Sequence, residues 1–556
     1  MSWPLGYLGC CKADQITLLV KRGLSLLEVR GMADAPAAGV GTVQWDRDLK
    51  PHNGLESDWC PRRVPTRNLF LAALAVGIGG SFQYGYNVSV INAPTVYIQT
   101  FINETWADRY QNELDENTLT LIWSVIVSIF TLGGLIGSNI GGSLAGKLGR
   151  KGALLTNNSI ALLAMAFMGI AYPTGMFEFL IIGRFLIGIN AGLGIVVQAL
   201  YLGEIAPKHL RGSMALGTSV FLTGGLVTGQ IIGLRELLGG EKYWPILVCT
   251  SCVPAIIQLL ILPWFPESPR YLLIDRNEET KCIKALKTFH GPVNYQPELD
   301  DIRKEKHVLN GEKTKKTWEV FTDQSIKWQL IAIVVLTVGQ QLSGINAIYF
   351  YATYIFTKAG IPEQNIPYAT VGTGACECIT ALTCGILIEY AGRRILIIGG
   401  YMLMAFWCIV LTVTLTYQDF SPWIPYLSMA SIFAFILSFG LGPGGVTTTL
   451  MLELFTQSSR PAALTLGGSM GWISFFVIGM IFPFIVRPRT NLFLKLRRNL
   501  KNLTERITFR CQSKMERYWP ARTCKWHESC ATLCISRFFN RIVTHIFAVY
   551  CNKVCG

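Results

Sequence analysis

Charged residues are scarce in this 556-residue chain. Asp, Glu, Lys and Arg together make up 15% of it, whereas soluble globular proteins average about 25%. Apolar residues, 51% of the chain, are gathered into blocks of about 20, the length that crosses the hydrocarbon core of a bilayer. The composition therefore excludes an ordinary soluble protein and predicts an all-α membrane protein.

Motifs for covalent or ATP-driven chemistry are missing as well. We find no Gly-rich phosphate loop, no nucleophile elbow and no His/Cys group with the spacing of zinc ligands. Several of the 16 cysteines stand inside apolar blocks, where a free thiol behaves as a small hydrophobe. We expect neither an enzyme nor an ATP-driven pump, and we expect no cofactor and no metal.

Acidic residues are rare at the C-terminal end of the chain. Residues 487–556 hold 15 Lys or Arg against three Glu, so this basic, Cys-rich tail supplies most of the net charge of +14. Basic residues can contact the phosphates of nucleic acids, but no folded reader motif accompanies these. We therefore expect no nucleic-acid partner.

Eleven apolar blocks are long enough to span a membrane. Six precede a charged stretch and five follow it, with boundaries at 69–91, 119–141, 153–172, 179–201, 214–234, 245–265, 328–350, 366–388, 395–416, 425–447 and 463–485. The predicted organisation is a disordered N-terminal segment at 1–67, a helical bundle at 68–265, a linker with short helices at 266–327, a second bundle at 328–486 and the tail at 487–556.

Lys and Arg follow every even-numbered span. Since basic loops stay in the cytoplasm, we predict that these loops and the N-terminus are cytoplasmic. The loop after the first span then faces outward, and it contains a glycosylation sequon at Asn103. In the second span, Gly133, Gly137 and Gly141 recur at every fourth position, a stripe that lets another helix approach closely.

The two halves of the chain repeat each other. Gly149-Arg150-Lys151 closes the second span and Gly392-Arg393-Arg394 closes the eighth, while a Glu and an Arg seven residues apart follow both the fourth and the tenth. Arginine can pair with a carboxylate or cap helix carbonyls, so we interpret these charges as a cytoplasmic gate that ties the bundles together. The alternative is that they only orient the helices. The gate residues are Arg150, Glu204, Arg211, Glu267, Glu389, Arg393, Arg394, Glu453 and Arg460.

At these residues the chain resembles the sugar-porter branch of the major facilitator superfamily. Other motifs that carry the resemblance are Gly183-Arg184, Pro266-Glu267-Ser268-Pro269-Arg270 and Gln340-Gln341-Leu342-Ser343-Gly344-Ile345-Asn346. Within this branch the chain is similar to class II facilitative hexose transporters. The resemblance implies two six-helix bundles around one central sugar site. The twelfth helix is expected to be missing or replaced, because the sequence turns basic soon after Phe484.

The family's sugar site, carried across residue by residue, implies contacts from three amides of the seventh span and an indole of the eleventh. Amides donate and accept hydrogen bonds at once, as sugar hydroxyls do, and an indole offers an apolar wall. A smaller Thr448 in place of a tryptophan implies a wider site, and Glu377 stands where the family has an asparagine. The implied substrate-binding residues are Gln340, Gln341, Asn346, Trp472, Gln230, Thr448 and Glu377.

Four functions remain open at this point. The leading hypothesis is uniport of a hexose such as glucose or fructose, and plasma membrane is the location that the family implies. A proton-coupled symporter of this kind typically has a helix-1 aspartate where this chain has Asn87, which favours uniport, although Glu377 keeps symport open. Transport of an organic anion such as urate would need a buried Arg or Lys, and we assign none to the spans. A non-transporting or non-functional chain is the fourth, because of the atypical tail.

Overall fold

The computed structural model describes residues 65–207, 210–291, 295–309, 326–416, 421–455 and 460–486. Some side chains within these helices also lie outside the described set, among them Glu389, Thr448, Glu453 and Arg460. The predictions on these four side chains therefore stay predictions. The same holds for the segment before residue 65 and for the tail from residue 487 onward.

All regular structure in these ranges is helical. The N-terminal half contains α1 (Arg67–Ser89), α2 (Thr95–Tyr110), α3 (Glu116–Leu148), α4 (Arg150–Ala171), α5 (Glu178–Ile205), α6 (Arg211–Ile232) and α7 (Trp244–Trp264), and the linker contains α8 (Glu279–His290) and α9 (Gln296–Leu309). The C-terminal half contains α10 (Lys327–Leu342), α11 (Ile345–Phe350), α12 (Ala352–Lys358), α13 (Ile366–Ala391), α14 (Arg393–Thr416), α15 (Ile424–Phe439), α16 (Gly445–Leu454) and α17 (Arg460–Val486).

The helices match the apolar blocks of the sequence. Within the described ranges, ten helices are long and apolar enough to cross a membrane, and an eleventh apolar helix, Leu216–Ile232, is shorter. Each of the eleven predicted blocks falls on one of these helices. The prediction of an all-α membrane protein is confirmed.

Helix boundaries follow local chemistry. Asp115 precedes α3, and its carboxylate accepts a hydrogen bond from the Asn117 N–H at 3.1 Å, which caps the first turn. Gly149 separates α3 from α4 with φ of +86°, and Gly392 separates α13 from α14 with φ of +78°. Such positive φ values favour glycine. Tight turns therefore precede both basic pairs, Arg150-Lys151 and Arg393-Arg394.

The glycine stripe of α3 brings α5 into backbone contact. A Cβ atom added at Gly133 would lie 2.2 Å from the Phe185 carbonyl oxygen, and one at Gly137 would lie 2.2 Å from that of Ile189. The predicted close approach of a second helix is thus confirmed, and α5 is that helix. Small residues are the usual means of close packing in membranes, since lipid provides little hydrophobic force between helices.

The seventh span is broken in its middle. Ser343 and Gly344 separate α10 from α11, and Gly344 has φ of +88°. A further irregular residue, Tyr351, ends the short helix α11. In a membrane, non-helical backbone is tolerated where it is buried in protein or lines a cavity. The break therefore marks α11 as a candidate part of a functional site.

In the N-terminal half, α7 packs beside α1 and α4. Gln258 Nε2 donates to the carbonyl oxygens of Ala75 and Val76 at 3.1 and 3.2 Å, and Asn158 Nδ2 donates to Gln258 Oε1 at 2.8 Å.

In the C-terminal half, α11 and α14 border an apolar cavity. Its lining includes Ala347, Ile348, Met404, Cys408 and Phe435. The tail that follows α17 lies outside the described residues, so the expectation that the twelfth helix is missing or replaced stays a prediction.

We expect Gly137→Ala to destabilise the protein by about 1–3 kcal/mol, because the new methyl group would overlap the Ile189 carbonyl. Gly142→Ala is the matched control on the same helix, where an added Cβ meets nothing within 4 Å. That variant should be neutral or more stable by up to about 1 kcal/mol. Thermal unfolding of the purified proteins in detergent compares them, and equal midpoints would contradict the proposed packing role.

Candidate functional site

Three amides flank the break between α10 and α11. Gln340 and Gln341 stand at the end of α10, Asn346 stands in α11, and all three are half-buried. The turn at Gly344 brings Asn346 back over Gln341, and Asn346 Nδ2 donates to Gln341 Oε1. The structure thus brings two of the amides that the resemblance implies as sugar ligands, Gln341 and Asn346, into direct contact.

Trp472 of α17 forms an aromatic wall between the two halves of the chain. Its ring centroid lies 5.7 Å from that of Tyr84 in α1 and 6.3 Å from that of Phe130 in α3. A Cβ atom at Gly134 would lie 2.4 Å from the indole ring. The side chain predicted to contact the sugar therefore belongs to the interface between the halves.

Gln230 and Glu377 approach the same region from α6 and α13. Gln230 Nε2 donates to Thr373 Oγ1 at 3.2 Å, and Glu377 lies one helical turn further along α13, on the same face. Glu377 is close enough to interact electrostatically with the hydroxyls of Tyr349 in α11 and Tyr84 in α1. Of the predicted ligands, all except Thr448 can be placed from the described side chains.

Four buried polar atoms near these residues lack a hydrogen-bond partner among the described residues. They are Gln230 Oε1, Thr337 Oγ1, Tyr349 OH and Glu377 Oε2. The sequence analysis missed Thr337 and Tyr349. Helical spacing could have found them, because Thr337 is four residues before Gln341 and Tyr349 is three residues after Asn346.

The expectation that the spans contain no buried Arg or Lys is wrong. Arg184 of α5 is only 1% exposed. Its Nη1 donates to the Asn87 carbonyl at 2.9 Å, its guanidinium lies 4.6 Å from the centroid of the Phe130 ring, and its Nη2 has no hydrogen-bond partner among the described residues. The sequence signal was the Gly183-Arg184 pair in the middle of an apolar block.

The predicted gate residues of the first half form an ion-pair cluster at the ends of α3, α4 and α5. Arg150 contacts Glu204 at 2.9 Å and Asp275, in the linker, at 2.8 Å. Ser268 Oγ also donates to Glu204, and the Lys151 N–H donates to Glu267 Oε1 at 2.9 Å. These contacts tie the N-terminal helices to the start of the linker.

Linker helices α8 and α9 dock on the same face. Arg211 pairs with Glu298 of α9, and the His290 ring contacts the Ile205 carbonyl at 2.9 Å. In the second half, Arg393 donates to the Ile388 carbonyl at 3.3 Å and Arg394 is exposed. Among the described side chains, the ion pairs of gate residues join the N-terminal half to the linker. A direct tie between the bundles stays a prediction.

The predicted glycosylation site is accessible. Asn103 lies on α2, and its side chain is exposed. Arg109 at the end of the same helix pairs with Glu178 at 2.6 Å. Glu178 begins α5 and Glu204 lies near its end, so Arg109 lies at the end of α5 opposite to the gate cluster.

Comparison with known proteins decides the family. The model of the family "Sugar (and other) transporter" matches residues 72–494. This chain belongs to the sugar transporter family. It is 46% identical to human solute carrier family 2, facilitated glucose transporter member 11, over 76% of this chain and 86% of that protein. It is 44% identical to human member 9, over 82% and 83%, and 45% identical to mouse member 5, over 75% and 83%.

Solved structures show the same fold. The proton:xylose symporter XylE of the major facilitator superfamily, bound to 6-bromo-6-deoxy-D-glucose, matches with a TM-score of 0.62 and 20% identity, over 75% of this chain and 89% of that one. An inward-open structure of the E. coli xylose transporter XylE also matches with a TM-score of 0.62, at 21% identity over 76% and 91%. Together these matches confirm the resemblance and the major facilitator fold, and they place this integral membrane protein in a non-enzyme class.

Arg150→Ala should unbalance the two directions of sugar transport, because it leaves Glu204, whose side chain is only 12% exposed, without its ion pair. Breaking one partner of a half-buried pair costs about 1–3 kcal/mol, enough to change a conformational ratio by roughly tenfold. Influx and efflux KM values in oriented proteoliposomes measure the effect. Arg109→Ala, which breaks an exposed pair at the opposite end of α5, is the control, and an identical ratio in both variants would exclude a gating role.

Proposed function

We propose that this protein carries a hexose such as glucose or fructose across the membrane by facilitative uniport with alternating access. The observation that carries the proposal is the group of buried polar atoms without described partners on α6, α10, α11 and α13, beside the amides of Gln341 and Asn346. Buried polar groups are normally hydrogen-bonded, and each one left unsatisfied costs about 1–3 kcal/mol. A ligand rich in hydroxyls would satisfy them.

The residue types around this site suit a neutral sugar. Gln340, Gln341, Asn346 and Gln230 can each donate and accept, and Trp472 offers an apolar face to the sugar ring. Amides match hydroxyls without carrying a charge into the membrane, where charges are costly. We propose these residues, with Thr448 and Glu377, as the substrate-binding set.

Alternating access is supported by how the halves meet. The N-terminal half contacts the C-terminal half along α3 with α17 and along α6 with α13. Asn139 Nδ2 donates to Ser469 Oγ at 3.0 Å between α3 and α17, and Tyr368 of α13 donates to Glu236 Oε1, in the turn after α6, at 2.8 Å. Because the proposed site lies between these contacts, rocking of one half on the other would open it to one side at a time.

The orientation and location of the protein are part of the proposal. Basic residues concentrate at the α3–α4 and α13–α14 turns and in the linker, so the positive-inside trend places these and the N-terminus in the cytoplasm. Asn103 then faces outward and can accept a glycan. The residues proposed to gate the cytoplasmic side are the nine inferred from sequence. Plasma membrane is the location we propose.

The amide side chain of Asn87 favours uniport over proton symport. Its Nδ2 donates to the Gln83 carbonyl at 2.8 Å, and its Oδ1 accepts from Ser251 Oγ at 2.8 Å. An amide in this place cannot take up or release a proton at physiological pH. Transport coupled to protons would therefore need Glu377 instead.

Transport of an organic anion is the second candidate, and Arg184 is the observation that favours it. Its Nη2 lacks a described hydrogen-bond partner, and Phe130 contacts both Arg184 and Trp472. The guanidinium is, however, almost completely buried behind that ring. We therefore rank the neutral sugar first, and competition of urate against labelled hexose distinguishes the two.

Gln341→Leu should lower hexose uptake at least about tenfold, because it removes two hydrogen-bonding groups at nearly constant volume. Counterflow of labelled glucose and fructose in proteoliposomes measures this, with the amount of reconstituted protein quantified. Gln364→Leu changes an exposed glutamine in the loop before α13 and should leave uptake intact. Wild-type protein that carries neither sugar would refute the proposed function, and full activity of the Gln341 variant would refute the site.

Uptake by the wild-type protein should be the same with and without an imposed proton gradient, since Asn87 does not titrate. The measurement is initial hexose uptake in proteoliposomes at fixed internal pH and varied external pH, with a protonophore as control. Asn87→Asp restores the aspartate expected in a symporter and should introduce pH dependence. Accumulation of sugar by the wild-type protein against its gradient would overturn uniport in favour of symport.

A further inference from the structure

The first helix of the N-terminal half, α1, is interrupted near its middle by a π-turn. Residues Arg67–Gly77 and Gln83–Ser89 are α-helical, and Ile78–Phe82 between them form one wider turn. A π-turn holds one more residue than an α-helical turn, and single π-turns inside α-helices are frequent at functional sites. Because each α-helical residue advances the helix by about 100°, the extra residue rotates everything that follows it by about that angle.

Two glutamines from other helices contact the backbone of this turn and of the turn before it. Gln258 Nε2 of α7 donates to the Ala75 and Val76 carbonyls at 3.1 and 3.2 Å. From α5, Gln198 Oε1 accepts a hydrogen bond from the Ser81 N–H at 2.6 Å, and Gln198 Nε2 donates to Ser81 Oγ at 2.9 Å. Both glutamine side chains are fully buried. We call Gln198 and Gln258 the glutamine pair.

Two glycines make room for the glutamine pair. A Cβ atom at Gly79 would lie 2.3 Å from Gln258 Cδ and Oε1, and one at Gly80 would lie 2.1 Å from Gln198 Oε1. Both distances are far below van der Waals contact, so any other residue would displace the glutamines or the helix. Asn158 of α4 holds one member of the pair, since its Nδ2 donates to Gln258 Oε1 at 2.8 Å. The glutamines and the turn are thus fitted to each other.

The part of α1 after the turn carries Tyr84, which contacts the indole proposed to bind the sugar. The Tyr84 ring centroid lies 5.7 Å from that of Trp472 and 6.1 Å from that of Phe130, on which it stacks with an interplanar angle of 7°. If α1 continued from its first part as a regular α-helix, this ring would point about 100° away from its present direction. The contact between Tyr84 and Trp472 therefore depends on the π-turn.

The glutamine pair stabilises the turn for a physical reason. In the bilayer core no water can satisfy backbone groups that leave the regular helical pattern, and the two glutamines supply side-chain partners from within the protein. We propose that Gln198 and Gln258 are positioning residues for sugar binding, which act through the π-turn of α1 to place Tyr84 against Trp472. This inference rests on the proposed hexose transport and names the residues that set one wall of its site.

Gln198→Leu tests this role, because it nearly keeps the volume of the side chain and removes its hydrogen bonds to Ser81. We expect KM for labelled hexose to rise about fivefold, the order expected for losing one aromatic contact, while the maximal rate stays within about twofold of wild type. Tyr84→Ala should raise KM by a similar factor in the wild-type background and by less than about twofold in the Gln198→Leu background. Equilibrium exchange of labelled glucose and fructose in proteoliposomes gives both constants.

Asn157→Leu is the matched control, since it removes another fully buried amide of the N-terminal half. Asn157 Nδ2 donates to the Asn190 carbonyl at 3.0 Å and so holds α4 to α5. This variant should lose thermal stability as Gln198→Leu does, with KM within about twofold of wild type. Gly80→Ala gives a second test that also serves if Gln198→Leu does not fold, because the new methyl group displaces Gln198. It should show the same coupling to Tyr84.

Unchanged KM in the Gln198 and Gly80 variants would overturn the positioning role while leaving hexose transport standing, because the glutamine pair would then be only structural. KM changes that multiply independently with those of Tyr84→Ala, or a rise of equal size in Asn157→Leu, would overturn it as well. If the wild-type protein transports neither glucose nor fructose, the proposed function fails and the positioning role fails with it.

Discussion

The absence of water in the bilayer core is the constraint on which this structure depends. Helices satisfy their own backbone groups there, and buried polar side chains must find partners within the protein. Most do so: Gln258 bridges α1 and α4, and Gln198 exchanges hydrogen bonds with Ser81 at 2.6 and 2.9 Å. The exceptions Gln230 Oε1, Thr337 Oγ1, Tyr349 OH and Glu377 Oε2 are therefore informative, because they lie on the helices that carry the proposed ligands.

The same constraint makes the contacts at the helix ends differ from those in the interior. Charges with ion-pair partners lie at helix ends, where Arg150 joins Glu204 and the linker. In the interior, α3 and α5 meet mainly through glycines, and the buried Arg184 of α5 donates to the Ile126 carbonyl of α3 at 3.4 Å. A transporter needs one rigid half to move on another, and tight glycine packing inside each half with sparse polar contact between halves fits that need.

Much of the fold could be predicted from sequence because it depends on local patterns. Block length determines the helices, and Gly149 and Gly392 mark turns because positive φ favours glycine. The amides at the α10–α11 break could be assigned through the family resemblance. Tyr349 was missed, although its spacing of three residues from Asn346 was visible, because a tyrosine in an apolar run is more often a core residue. Arg184 was missed although it stands inside the predicted span 179–201, because an arginine near the start of a span can also reach the membrane surface.

Trp472 links recognition to movement. It belongs to the C-terminal half, yet its ring packs on Tyr84 and Phe130 and lies against Gly134 of the N-terminal half. Rocking of the halves would change these ring contacts, so a ligand on the indole would meet a different wall in each arrangement. A ligand shifts a conformational equilibrium only by its difference in affinity for the two states. We propose that a wall built from both halves supplies such a difference, and that binding and reorientation of the site are coupled through this side chain.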